Sequence, residues 1–240
     1  DKLNPLDWST VKELKAVVAE IEAQPAVRFV ILTGEGRAFS AGGDLDGYLR
    51  LYREPAEFQA FLDDFYAMLT GIERARAIWI AAVNGVCVAG GIELLLACDM
   101  ALAGASAKIG DGHLNFGQLP GAGGSQRLPR AIGLLRAKHL MLTGELLDAE
   151  TCERWGLVTK VVPDADLIAA AEAWVADLST KSAIGLAGAK RLANMTLELP
   201  YEEGLKAEIA FVHNYATTEP DATEGLLAFK EKRNPRFGKD

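Results

Sequence analysis

The chain has 240 residues, half of them hydrophobic, and a formal net charge of -8. This length predicts one large domain, or one domain with a helical appendage. An acidic surface repels polyphosphate chains, which argues against general nucleic-acid binding. The three cysteines form no CxxC pair and indicate reduced thiols in a cytoplasmic protein. No apolar run approaches the ~20 residues that span a bilayer.

The first third of the sequence predicts helices that alternate with buried strands. Apolar residues at helical spacing follow Asp7 and Ser9, either of which can cap a helix. The nearly all-apolar run 28–33 predicts a strand buried on both faces, as in a parallel sheet covered by helices. The predicted elements are a helix to about residue 24, a strand over 28–33, a loop over 34–43, a helix over 45–69 capped by Asp44 with a break at Pro55, and a strand over 78–83.

The remainder of the sequence begins as mixed α/β and becomes entirely helical. A loop of about fifteen residues over 110–124 is longer than most connections, and loops of that length in compact domains are often functional. The predicted elements are a helix over 91–97, strands at 100–103 and 107–109, helices over 125–132, 134–142 and 148–155, a strand over 157–161, and helices over 165–179, 182–195, 200–216 and 220–232.

Two glycine steps stand at matching places in the chain. Ala41-Gly42-Gly43 and Ala89-Gly90-Gly91 each follow a predicted buried strand and precede a predicted helix. Glycine allows close approach to a ligand, and the first amides of a helix have no internal acceptor and carry partial positive charge. Two such amides that converge on one point form an oxyanion hole, although either pair alone often marks only a tight turn.

Two residues near the second glycine step could move protons. Glu93 lies three residues after Gly90, so both occupy the same side of the helix start. Its apolar neighbours predict a poorly solvated carboxylate, whose pKa burial would raise and the helix N-terminus would lower. His113 lies in the long loop near Asp111, where a lone histidine is more often a surface residue.

Several common chemistries lack support in the sequence. The loop 34–43 has Phe39 where a dinucleotide-binding pattern needs glycine, and no glycine-lysine-Ser/Thr ending follows. No HExxH, GxSxG or cysteine-rich cluster is present. We therefore expect neither a metal site nor a serine hydrolase.

Four motifs, in order, resemble the crotonase superfamily, also called the enoyl-CoA hydratase/isomerase family. The resemblance runs from Leu3-Asn4-Pro5-Leu6 to Arg233-Asn234-Pro235, essentially the whole chain. The motifs are VILTGEGRAFSAGGDL (30–45), AAVNGVCVAGGIELLLACDMALA (81–103), LPGAGGSQRLPRAIG (119–133) and EGLLAFKEKRNPRF (224–237).

The resemblance implies a fold and an assembly. It implies an α/β protein in which repeated ββα units form a spiral over 1–180, followed by a helical trimerisation region over 181–240. Members of this family begin with a further strand or hairpin, so N-terminal residues are expected to be missing from this sequence. The family implies homotrimers, or hexamers built as dimers of trimers, without membrane association. It also implies an acyl-CoA thioester as substrate and no cofactor beyond the coenzyme A that the substrate carries.

The resemblance also assigns candidate site residues. The backbone amides of Gly43 and Gly90 would form the oxyanion hole that holds the thioester oxygen. The residues implied to bind coenzyme A are Arg37, Phe39, Ala41, Asp44, Leu45, Phe229 and Lys232. The family topology makes Tyr48, Leu49, Tyr52, Leu114 and Phe116 candidates for the acyl pocket.

The chain departs from the hydratase pattern at one position. A typical hydratase holds one water with two glutamates; Glu93 matches the first, whereas His113 stands where the family has the second. In the leading hypothesis Glu93 and His113 form the acid/base pair that hydrates a 2-enoyl-CoA, since histidine has a reference pKa of ~6.5 and can replace a carboxylic acid.

Three alternatives remain open. The first is double-bond isomerisation. In the related isomerases this reaction depends chiefly on the second acid, and the absence of that acid here argues against it. C–C bond hydrolysis or decarboxylation would use the same enolate chemistry; the related β-diketone hydrolases have a histidine in a similar loop, supported by an aspartate where this chain has Ala122. Asp111 is the candidate to support His113 in place of that aspartate, but its i,i+2 spacing argues against a contact between the two side chains. The fourth hypothesis is a weakly active protein that binds coenzyme A.

Overall fold

The computed structural model describes residues 3–238. They form two compact units, of which the first ends at Glu172 and the second begins at Ala173. The domain division predicted at residue 180 stays a prediction. Within the described residues, no helix combines the length and apolar character needed to cross a membrane.

The first unit contains all the strands of the described chain. The strands are β1 (Phe29–Thr33), β2 (Ala38–Ser40), β3 (Ile78–Val83), β4 (Val86–Val88), β5 (Met100–Gly104), β6 (Lys108–Gly110), β7 (Leu147–Asp148) and β8 (Lys160–Val162). The helices are α1 (Trp8–Glu22), α2 (Leu45–Leu51), α3 (Pro55–Arg74), α4 (Gly90–Ala97), α5 (Gly124–Ile132), α6 (Leu134–Thr143), α7 (Ala149–Trp155) and α8 (Leu167–Ser179), which continues into the second unit.

The strands form two four-stranded sheets with the orders β1-β3-β5-β8 and β2-β4-β6-β7. The first sheet is entirely parallel, and only β7 runs antiparallel in the second. Consecutive strands along the chain therefore join different sheets before a helix closes each repeat. This is the repeated ββα unit that the resemblance implies, and it brings the ends of β2, β4 and β6 together.

The predicted helices and long strands are present at nearly their expected positions, and the helices begin with the expected caps. Asp7 accepts a hydrogen bond from the Thr10 amide at 2.8 Å, and Asp44 accepts one from Gly47 at 2.9 Å. Such a cap satisfies an amide that has no partner within its helix. The break expected at Pro55 separates α2 from α3.

Of the four strands in the second sheet, the sequence predicts only β6, expected at 107–109. Strands β2, β4 and β7 have two or three residues each, too few to show a periodicity, and none of them is predicted. The predicted strand over 157–161 is displaced to Lys160–Val162. Its partner β5 fixes that register, pairing Leu102 with Lys160.

The expectation that β1 is buried on both faces is wrong. β3, the neighbouring strand, is buried throughout, whereas β1 is half-buried and exposed at its end. The physical reason is position: among the described residues β1 pairs only with β3, at one end of its sheet, and its apolar composition does not reveal that place.

The core of the first unit packs around α3 and β3. The buried face of α3 consists of Phe61, Phe65, Met68, Leu69 and Ile72, and α1 packs against this helix through Val11 and Val18. Helix α4 is apolar around its circumference and buried at almost every position. Its one carboxylate, Glu93, is buried together with the apolar neighbours.

The second unit is helical. Its helices after α8 are α9 (Ala183–Glu198), α10 (Tyr201–Thr218) and α11 (Pro220–Lys230). Buried Asp221 ties the unit together, since it accepts hydrogen bonds from the Ser182 hydroxyl at 2.5 Å and the Gly238 amide at 2.9 Å. The predicted helical character of this region is confirmed.

The sheet order predicts unequal costs for the same substitution on paired strands. Ile80 of β3 is fully buried and pairs with half-buried Ile31 of β1. Ile80→Ala should cost about 2–5 kcal/mol in the free energy of unfolding, because it leaves a cavity. Ile31→Ala, the matched control at the edge, should cost clearly less. Chemical denaturation measures both, and equal losses would contradict the assigned positions.

Candidate functional site

A cleft of about 380 Å³ lies in the first unit, where the ends of β2 and β4 meet α3 and the loop after β6. Its walls are mainly apolar and carry few ionisable groups. The lining includes Ala41, Gly43, Leu45, Tyr48, Tyr52, Phe58, Phe61, Phe65, Ala89, Glu93, Gly112, His113, Phe116, Gln118 and Ala122. A concave apolar cleft with a few converging polar groups is the usual form of a small-molecule site.

The two glycine steps meet at this cleft. A Cβ atom added to Gly42 would lie 2.7 Å from Ala89 Cβ and 3.0 Å from the Gly90 nitrogen. Gly42 also has φ +86, a conformation in which a side chain is strained. Only glycine therefore allows the first step to approach the second, and this approach brings the Gly43 and Gly90 amides into one region.

Both amides are available to a ligand. Among the residues that the structure describes, neither the Gly43 nor the Gly90 amide donates to a protein acceptor. Gly90 is the first residue of α4, so its N–H also carries the partial positive charge of a helix start. Two amides of this kind suit an oxygen that develops negative charge.

The residue before Gly90 is held in a strained conformation. Ala89 has φ 54 and ψ -120, a region that costs a non-glycine residue of order 1–3 kcal/mol. Its amide donates to the Asp111 carbonyl at 2.8 Å, and its carbonyl accepts from Ile92 and Glu93. These bonds lock the backbone turn that presents the Gly90 amide.

Glu93 has one oxygen fixed and the other directed to the neighbouring histidine. It is 2% exposed, and its Oε1 accepts hydrogen bonds from the Ala122 and Gly124 amides at 2.9 and 2.8 Å. Its Oε2 lies 3.9 Å from His113 Nε2. Burial raises the pKa of Glu93, although the Gly124 amide, His113 and the Ala122 amide counteract the increase. The proton that Glu93 can hold therefore belongs on Oε2.

An ion pair fixes the loop that holds Glu93. Arg127 Nη1 donates to the Ala122 carbonyl at 2.6 Å. Its Nε and Nη2 donate to the two Glu73 oxygens at 2.6 and 2.8 Å. This two-bond pairing restricts the guanidinium to one geometry, so α3 and α5 together determine where the Ala122 amide points.

His113 lies between two buried carboxylates. Its side chain is 11% exposed, and its Nδ1 lies 3.2 Å from Asp111 Oδ1, although the angle does not make a hydrogen bond. Asp111 is 1% exposed. The i,i+2 spacing therefore does not keep the two side chains apart, contrary to the expectation from sequence. His113 is also no ordinary surface residue.

Aromatic side chains form the apolar wall. Tyr48 and Tyr52 stack with ring centroids 5.8 Å apart, and Phe58 and Phe61 adjoin them. The Tyr52 hydroxyl donates to Gln118 Oε1 across the cleft. Burial raises the pKa of Tyr48, and the nearby Glu93 carboxyl adds to the increase, so this hydroxyl stays protonated. The wall suits an apolar acyl group with few polar atoms.

The structure places the other predicted residues unevenly. Ala41 and Leu45 line the cleft with Gly43. Arg37, which precedes them in the chain, has an exposed side chain. Asp44 caps α2. The Phe39 side chain belongs to the hydrophobic core, so only its backbone remains for a ligand.

The remaining predicted contacts stay predictions. Tyr48, Tyr52 and Phe116 line the cleft, but Leu49 and Leu114 are exposed side chains outside its described lining. Phe229 and Lys232 belong to the second unit, where Phe229 is 87% exposed and Lys232 has φ 55. Their assignment to coenzyme A rests on the resemblance.

No sequence motif marks the groups that support Glu93. The Ala122 and Gly124 amides, Arg127 and Glu73 come from distant parts of the chain, and backbone donors have no residue signature. The glycine-rich run 121–124 was the available signal, because it permits amides to approach a buried acid. Asp111 was identified, but its burial was not.

Comparisons with known proteins agree over the whole chain. The family model described as enoyl-CoA hydratase/isomerase matches residues 1–240. A probable enoyl-CoA hydratase of Mycobacterium tuberculosis is 40% identical over 238 residues, which cover 98% of this chain and 90% of that protein. A crotonyl-CoA hydratase of Syntrophomonas wolfei is 34% identical over 238 residues, with the same coverage.

Solved structures extend the agreement to the fold. The crystal structure of an enoyl-CoA hydratase from Bacillus anthracis superposes with a TM-score of 0.92 at 34% identity and covers 100% of this chain and 92% of that one. The fold and the paired glycine steps define a protein of the crotonase superfamily, and the predicted fold class is confirmed. The chain belongs to the enoyl-CoA hydratase/isomerase family.

The ion pair behind the site makes a prediction about stability. Arg127→Met removes the hydrogen bonds to Glu73 and to the Ala122 carbonyl, and should cost roughly 1–3 kcal/mol in the free energy of unfolding. Arg130→Met is the matched control, since exposed Arg130 on the same helix bonds mainly to Gln126 and should stay within about 0.5 kcal/mol. Urea denaturation compares them; similar values would show that Arg127 holds nothing in place.

Proposed function

We propose that the protein is an enoyl-CoA hydratase that adds water to a 2-enoyl-CoA, with Glu93 and His113 as its acid/base pair. One observation carries the proposal: Glu93 Oε2 and His113 Nε2 face each other at 3.9 Å in the cleft that the two free amides adjoin. The relatives named as hydratases support the substrate class, an acyl-CoA thioester.

The amides of Gly43 and Gly90 bind the thioester carbonyl oxygen. When a nucleophile adds to Cβ, the π electrons move through Cα to this oxygen and form an enolate. The two N–H groups stabilise that charge more strongly than they stabilise the neutral carbonyl. The aromatic wall places apolar side chains beside these amides, and a less polar surrounding strengthens the interactions.

The acid/base pair holds the water and moves its proton. A water about 2.8 Å from each atom spans the 3.9 Å gap at an angle of roughly 90°. His113 Nε2 takes a proton as the water oxygen bonds to Cβ, and Glu93 Oε2 gives its proton to Cα. Proton transfer from His113 to Glu93 then restores both groups, so the net reaction adds H₂O and nothing else.

Water addition transfers no electrons between protein and substrate, so the proposed reaction needs no cofactor beyond the coenzyme A of the substrate. We place the predicted trimer, or dimer of trimers, in the same proposal. Exposed apolar side chains on the second unit support an assembly; they include Ile184, Leu197, Tyr201, Ile209 and Val212.

C–C bond hydrolysis is the second candidate function. The approach of Asp111 to His113 at 3.2 Å favours it, because a carboxylate beside the imidazole supports a histidine base. The place of the aspartate in the β-diketone hydrolases is occupied by Ala122, whose amide binds Glu93. The presence of a thioester-binding amide pair and of Glu93 favours hydration.

The acid/base assignment predicts the effect of removing the imidazole. Wild-type protein should hydrate crotonyl-CoA, and the ultraviolet absorbance of the conjugated thioester should decay. His113→Ala should lower kcat by about 10²-fold or more if the ring transfers a proton. His113→Glu should raise hydratase activity if a second carboxylic acid is all that the site lacks.

The matched control is His139→Ala, because exposed His139 bonds to Glu145 and lies outside the described lining of the cleft. It should keep wild-type activity. No absorbance decay with any member of an enoyl-CoA panel would refute the proposed function. Decay of β-diketones instead would establish the second candidate.

Burial of Glu93 predicts a stability effect with a defined pH dependence. Because burial raises the pKa of Glu93 in the folded protein, the folded state holds this proton where the unfolded chain has lost it. The contribution of Glu93 is therefore favourable below the ordinary carboxyl pKa of about 4.3 and is lost as pH rises through the folded pKa. Glu93→Gln keeps an oxygen for the two amides but cannot ionise, so its stability relative to wild type should increase with pH.

Thermal unfolding at acid and neutral pH tests this, while hydration activity of Glu93→Gln should fall. The control Glu20→Gln changes an exposed glutamate of α1. It should show no comparable gain. A stability difference between Glu93→Gln and wild type that stays constant with pH would mean that Glu93 is not destabilised by burial.

A further inference from the structure

A second buried carboxylate extends the acid/base pair into a row of three groups. Glu93 Oε2 lies 3.9 Å from His113 Nε2, and His113 Nδ1 lies 3.2 Å from Asp111 Oδ1. Both carboxylates are at most 2% exposed. The imidazole therefore has a carboxylate at each ring nitrogen, but only Glu93 lines the cleft with it.

Two atoms of this row have unmet hydrogen-bonding capacity. Asp111 Oδ2 and His113 Nδ1 are buried and, within the described residues, have no hydrogen-bond partner. An unsatisfied buried polar group costs about 1–3 kcal/mol, and a charged one costs more. A carboxylate only accepts hydrogen bonds, so a proton on Nδ1 can pair with Asp111 Oδ1, 3.2 Å away, once the two side chains rotate into line, whereas a lone pair on Nδ1 would face another acceptor.

The backbone holds Asp111 in this place from both sides. Its carbonyl accepts the strained Ala89 amide at 2.8 Å, and its Oδ1 accepts the His113 amide at 3.3 Å. Gly112 between them has φ +66, and a Cβ there would lie 2.4 Å from Val88 Cγ2. This left-handed turn is what brings residues i and i+2 together, so the contact follows from the fold.

We propose that Asp111 is a positioning residue that fixes the Nδ1–H tautomer of His113. That tautomer leaves the Nε2 lone pair facing Glu93 and the cleft, where it can take a proton from water. The carboxylate also compensates the positive charge on the ring after that transfer. The inference deepens the proposed hydration, and its catalytic part rests on that function.

The tautomer can be measured without substrate. The chain has only three histidines, so ¹⁵N-histidine labelling gives few ring signals, and His113→Asn identifies the one of interest. In wild-type protein at alkaline pH, the His113 ring should carry its proton on Nδ1. Asp111→Leu should shift the ring toward the Nε2–H form, whereas Asp111→Asn should retain Nδ1–H because its amide oxygen still accepts.

Kinetics provide the second readout. Asp111→Leu should lower kcat for crotonyl-CoA by about 10- to 100-fold, part of what a positioned general base contributes, with little change in KM, and Asp111→Asn should recover part of the loss. The matched control Asp63→Leu replaces an exposed aspartate of α3 that bonds to Gln59. It should change neither the ring signals nor kcat.

The outcomes separate this inference from the proposed function. A wild-type His113 ring with its proton on Nε2, or a tautomer that Asp111→Leu leaves unchanged, overturns the positioning role even if crotonyl-CoA is hydrated. An Nδ1–H ring that depends on Asp111, in a protein that hydrates no enoyl-CoA, supports the role and overturns the function. The wild-type and Asp111→Asn spectra decide the matter if Asp111→Leu does not fold.

Discussion

The site depends on one buried carboxylate. Glu93 sits on a helix that is otherwise apolar, and removing a charge from water costs several kcal/mol unless hydrogen bonds replace the lost hydration. The Ala122 and Gly124 amides provide those bonds, which requires the loop after β6 to close onto α4. Arg127, which is paired with Glu73, then holds that loop in place by donating to the Ala122 carbonyl. The hydrogen bonds that Glu93 requires thus determine the position of the segment 121–124, part of which lines the cleft.

The second constraint is the strained backbone at Ala89, which connects the Gly90 amide with the His113 side chain. The Asp111 carbonyl accepts the Ala89 amide and so helps to hold Ala89 in its unfavourable conformation. Asp111 also places its side chain beside His113. Pairing of β4 with β6 therefore sets both the direction of the Gly90 amide and the position of the imidazole. A disturbance at the end of β6 would reach carbonyl binding and proton transfer together.

The scaffold and the particular chemistry are separable. The amide pair, the ββα repeats and Glu93 agree with the family, whereas His113, with Asp111 beside it, stands where the family pattern has the second glutamate. An imidazole brings a second ring nitrogen that a carboxylic acid lacks. Because that nitrogen needs a hydrogen-bond partner of its own, a histidine at position 113 makes Asp111 part of the proposed site.

The family, the helices, the long strands, the two glycine steps and the candidate residues Glu93 and His113 can all be recognised in the amino-acid sequence. These features depend on local periodicity, on capping residues and on motifs that lie close together in the chain. The position of β1 at the end of its sheet, the pairing of the second sheet and the approach of Asp111 to His113 become visible only in the folded chain. The fold also decides which amides hold Glu93, because backbone donors look alike in any sequence and become specific only when distant segments meet.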